Sequence, residues 1–81
     1  MQNEKNIDGL IYAMEKICSI ACGDGSEPLG IGDAWIGGDL EKVERQLERI
    51  EIYAHDEGLE PGADLLFEAA HKLLEAAKLL S

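Results

Sequence analysis

Six glycines fall within residues 22–38, CGDGSEPLGIGDAWIGG, between flanks whose apolar residues recur every three or four positions. Glycine loses more backbone freedom on ordering than any other residue, so a long helix through this stretch is disfavoured. The chain is therefore divided into a helical segment before the glycines and a longer helical region after them. The same stretch carries the only Trp, Trp35, a large aromatic available either to plug one end of a bundle or to meet a partner.

Three segments carry the helical period. Over 5–21, Ile7, Leu10, Ile11, Met14, Ile17, Cys18 and Ala21 trace one face, with Asp8, Tyr12, Glu15 and Ser19 opposite and Ala13 and Ile20 widening the stripe. Asn3 or Asn6 is suited to cap its start and Gly23 to end it. Over 39–57, Leu40, Val43, Leu47, Ile50 and Ala54 form the clearest seam, capped by Asp39 and supported by the i,i+4 pair Glu41–Arg45. Gly58, Leu59 and Pro61 mark its end. Over 62–80, Leu66, Ala69, Ala70, Leu73, Ala76, Ala77 and Leu80 make the main face; Leu65 extends it on one side, and Phe67 and Leu74 on the other. Its polar residues, Asp64, Glu68, His71, Lys72, Glu75 and Lys78, fall in one narrow solvent-facing sector.

The expected fold is all-α: a single domain, a small bundle of three main helices with a structured Gly-rich connection between the first two. The link of four or five residues between the second and third segments favours antiparallel neighbours. The longer connection is expected to hold turns of its own, at 26–29 and 33–36. An apolar arc as wide as that of the third helix exceeds what a solvent-facing helix in an 81-residue monomer needs. It points to a homo-oligomer, with Leu65, Leu66, Phe67, Leu73, Leu74 and Leu80 in the core or the interface.

Charge narrows the partners. Seventeen acids against seven bases give −10, and half of that excess lies in 39–60. Such a surface repels nucleic acid and anionic membrane and suits a basic protein surface. Lys42, Arg45 and Arg49 are nearly in line, but Glu41, Glu44 and Glu48 accompany them, so no basic recognition helix results. No apolar run is long enough to span a membrane, and the N-terminus lacks the pattern of an export signal. A cytoplasmic protein is expected, with Cys18 a reduced core thiol and Cys22 a reduced thiol at a helix end.

Catalytic and cofactor signatures are weak. The glycines match neither GxxxxGK[ST] nor GxGxxG. Asp24, Glu27, Asp33 and Asp39 fit no calcium-loop register. Cys18 and Cys22 lack zinc-type spacing, and a second pair would have to come from His55 and His71 on two other helices. Glu68-x-x-His71 matches the ligand pair of di-iron bundles in two residues only. No enzyme activity, cofactor or metal is expected. The reading is a protein–protein interaction module, a small acidic regulator or inhibitor, whose candidate binding residues are Trp35, Glu44, Glu48, Glu51 and Ile52. The alternatives are a purely structural homo-oligomer and an acidic mimic of nucleic acid that binds a basic protein surface.

Overall fold

The computed structural model describes residues 2–23, 30–58 and 61–81. Four helices follow in chain order: α1 (Gln2–Ala21), α2 (Ile31–Trp35), α3 (Leu40–Glu57) and α4 (Ala63–Leu80). They form an all-helical bundle 39 × 20 × 20 Å in extent, with no strand among the described residues. The three long helices are those expected, and the short α2 takes the place of the turn expected at 33–36. The turn expected at 26–29 and Leu59, read as part of the end of the second segment, lie outside the described residues.

Local chemistry sets most of the boundaries. The Asp39 side chain accepts a hydrogen bond of 2.9 Å from the Glu41 N–H, satisfying one of the orphan amides at the start of α3. At the other end Gly58 takes φ 82°, a backbone that a residue with a Cβ rarely adopts, and the helix stops there. Gly30 is also left-handed, at φ 79°, and a Cβ there would lie 3.1 Å from Gln46 Nε2. A glycine at this position lets the chain turn into α2 while pressed against α3. Asn3 and Asn6 do not cap α1, which begins at Gln2 and runs through both.

Contacts between helices fix their directions. Lys78 Nζ lies 3.0 Å from Glu44 Oε2, and His71 bonds Glu51. Partners seven residues apart on each helix, in opposite order, make α3 and α4 antiparallel. The Trp35 indole N–H donates to Asp8 Oδ1 at 2.6 Å, which places the start of α1 near the start of α3. Gly32 approaches Glu15 and Gly30 abuts Gln46, so the middle of α1 lies beside the middle of α3 across α2. Hence α1 runs parallel to α3, and α4 runs against both. The described part of the connection runs back along α1, with Gly32 beside Glu15 and Trp35 bonded to Asp8.

The core lies among the three long helices. Ile7, Ile11, Met14, Cys18 and Ala21 of α1 meet Val43, Leu47, Ile50 and Ala54 of α3 and Ala63, Phe67, Ala70, Leu74 and Ala77 of α4, with Ile31 of α2 also buried. The seam expected for α3 is this core line, with Leu40 half-buried. For α4 the centre is displaced. Its most buried line is Ala63, Phe67, Ala70, Leu74 and Ala77, while Leu66, Leu73 and Leu80 are half-buried at its flank and Leu65 is exposed. The shift arises because α3 covers only one side of α4, the side bearing His71 and Lys78.

Candidate functional site

Side chains from the end of α3 and the start of α4 enclose a cleft of about 460 Å³. Ile52 and Phe67 supply apolar surface, and Glu51, His55, Asp64, Glu68 and His71 complete the walls. Short-range helix geometry explains the set: Glu51 and His55 are four apart on α3, Asp64, Glu68 and His71 fall within two turns on α4, and the antiparallel packing brings the two groups together. Phe67 is buried and forms the base, whereas Ile52 is 64% exposed. Asp64, Glu68 and His55 are exposed. The cleft thus joins an accessible apolar side chain to an acidic margin.

Asp64, Glu68, Lys72, Glu75 and Lys78 of the polar sector of α4 are exposed as expected, while His71 and Lys78 also reach across to α3. His71 is half-buried, and its Nε2 donates to Glu51 Oε1, a carboxylate oxygen that can only accept. Lys78 donates to Glu44 Oε2. Glu44 and Glu51 therefore tie α3 to α4. The pair Glu41–Arg45 is not among the ion pairs of the described residues, which are these two cross-helix links.

The five candidate binding residues are not one surface. Glu51 and Ile52 share the α3–α4 cleft, Glu48 is exposed on α3, and Glu44 lies toward the opposite end of α4 beside Lys78. Trp35 is on the other side of α3, half-buried against the core and bonded to Asp8. Ile31 beside it is fully buried, and Ile36 is exposed. The flank of α1 read as its polar, outward side is instead partly covered: Asp8 receives the indole, Glu15 approaches Gly32, and Ser19 is buried. On the same side of α3, Lys42, Arg45 and Arg49 line a small recess of about 210 Å³ with Ala34 and Gln46.

The sequence reading missed His55, Asp64, Phe67, Glu68 and His71 as cleft residues. Their signal was present in the short α3–α4 link, which obliges the last turns of α3 to face the first turns of α4.

Both cysteines are free thiols, Cys18 buried and Cys22 half-buried. Burial, then the influence of Cys22, Glu51 and Glu15, pushes the Cys18 thiol up to about 12 from 9.0; burial also raises Cys22. A thiol above its ordinary value is a poor nucleophile at neutral pH. Native protein treated with a thiol reagent at pH 8 is expected to label Cys22 first, with Cys18 protected until denaturant is added; mass spectrometry of the labelled peptides checks this. The sign of the linkage also follows. The raised folded value contributes stability that is present below about pH 9 and is lost as pH rises toward about 12.

Among the described residues, no group of three or more His, Cys, Asp or Glu side chains is placed to hold a metal ion. No helix of those residues is long and apolar enough to cross a membrane. Comparison with known proteins finds no matching family model, no matching curated protein and no matching solved structure.

Proposed function

We propose that this chain is a non-enzymatic protein–protein interaction module, a small acidic regulator that takes a basic protein segment into the α3–α4 cleft. The observation that carries the reading is the combination of exposed Ile52 above Phe67 with Asp64 and Glu68 at the margin. An apolar side chain of the partner seats on Ile52 and Phe67, and flanking Lys or Arg side chains meet the carboxylates. The apolar contact supplies most of the affinity, while the charges raise the association rate and exclude acidic partners. The net charge of −10 extends the same preference over a longer range.

The test uses two synthetic helical peptides, one with a central Leu flanked by lysines and one with the lysines replaced by glutamates. Titration followed by NMR is expected to shift the resonances of Ile52, His55, Asp64 and Glu68 with the basic peptide and leave them unmoved with the acidic one. The double variant Asp64→Lys/Glu68→Lys is expected to lose on the order of tenfold or more in affinity, since each reversal replaces attraction by repulsion. Equal binding of both peptides, or undiminished binding by the double variant, would overturn the reading. Glu44 and Glu51 are left intact because they hold α3 to α4.

A further inference from the structure

Helix directions reveal a second surface that no single helix discloses. At about 100° per residue, Leu10, Ala13, Ile17 and Ile20 lie on one flank of α1, and Asp8 and Glu15 lie on the other, toward α2. On α4, Leu66, Ala69, Leu73, Ala76 and Leu80, with Leu65 at the margin, lie on the flank away from His71 and Lys78, which face α3. Because α1 and α4 are antiparallel, these two apolar flanks fall on the same side of the α1–α4 pair, turned away from α3. Ile20 and Leu65 stand at one end of this face and Leu10 and Leu80 at the other. All are half-buried except Ile20 and Leu65, which are 60% and 70% exposed.

We infer that this α1–α4 face binds a second copy of the chain, giving a two-fold dimer with a four-helix core of two α1 and two α4 helices. The charge distribution selects this occupant. The protein carries −10, yet among the described residues this face holds no acid, and the nearest charges are Lys16 and Lys72 at its outer edges. Two copies therefore meet on the one broad side where their like charges do not oppose association. Lys16 stays at the rim, its Nζ 5.8 Å from the Tyr12 ring centroid.

Shape supports the same occupant. A two-fold axis lying in the plane of this face sets the same patch of both copies against each other, the isologous arrangement of a homodimer. Ala13, Ala69 and Ala76 leave hollows between the larger Leu and Ile side chains, the relief that ridges-into-grooves packing uses. An 18-residue helix is about 27 Å long, so a face two helices wide covers roughly 500 Å² per copy. The total of ~1,000 Å² meets the lower bound for a specific interface.

In such a dimer both α3–α4 clefts face outward, so self-association and partner binding use different surfaces. Sedimentation equilibrium across a dilution series is expected to give twice the 8.8 kDa chain mass. Ile20→Glu and Leu65→Glu place a carboxylate in the interface at positions exposed in the single chain. Each is expected to keep the wild-type circular dichroism and weaken association on the order of a hundredfold or more. Ile52→Glu, on the far side of α3, is expected to leave the dimer unchanged. A monomeric wild type, a dimer that persists in the two interface variants, or dissociation by Ile52→Glu would each overturn the inference. A monomeric Leu65→Glu chain that still takes the basic peptide would separate this interface from the cleft.

Discussion

Leu47→Ala is expected to lower the unfolding free energy by about 2–5 kcal/mol, the range for emptying a buried leucine site. Leu47 is wholly inaccessible to solvent at the middle of the α3 seam. It faces a core shared by all three long helices, so the void left behind has packed walls on every side. A chain of this size has a total stability of roughly 4–12 kcal/mol at about 0.05–0.15 kcal/mol per residue. Loss of ~3 kcal/mol would move the melting temperature by about 12–24 °C. Urea denaturation followed by circular dichroism measures it. Ile52→Ala on the same helix serves as the control, because Ile52 is mostly exposed and its truncation is expected to change stability by only about 0.5 kcal/mol or less.

Ala70→Leu is expected to destabilise by about 1–3 kcal/mol, the opposite error in the same core. Ala70 has no accessible surface and lies in the line of α4 that packs into the bundle. Alanine here lets the backbones approach, and the added carbons have no space without moving α1 or α3. Glu75→Leu, on the exposed side of α4, is expected to stay within about 0.5 kcal/mol. If Ala70→Leu instead stabilised the protein in the same denaturation experiment, the close packing assigned to α4 would be wrong.

The legible parts of the fold were those that depend on residues near in sequence. The α3 seam, its Asp39 cap and its end at Gly58 each arise within one or two turns, and each stands as read. The placement of Cys18 and Cys22 also followed from the helical period of α1. Trp35 was legible as a residue in conflict between core and surface; its hydrogen bond to Asp8 was not, because the two are 27 residues apart. The polar flank of α1 illustrates the same limit. Periodicity marks Asp8, Glu15 and Ser19 as hydrophilic, but only packing determines that Ser19 is buried and Glu15 half-buried while Asp8 stays exposed.

The candidate cleft divides in the same way. Ile52 stood out because it departs from the α3 seam, and the acidic character of α3 is visible in composition. That Ile52 is joined by Asp64, Phe67 and Glu68 depends on antiparallel packing. The breadth of the α4 apolar arc was also evident, but its assignment to two purposes was not. Phe67 and Leu74 serve the internal core, whereas Leu65, Leu66, Leu73 and Leu80 lie along the outer flank beside α1.

By itself the amino-acid sequence determined the three long helices, the Asp39 cap and Gly58 end of α3, and which side chains are apolar, because these depend on backbone propensity and on neighbours within about four residues. Tertiary structure decided that α1 and α3 run parallel, that Glu44 and Glu51 reach across to α4, and that two apolar flanks share one face. These outcomes depend on the relative direction and rotation of whole helices. A helical period specifies which residues share a face; only packing specifies what that face meets.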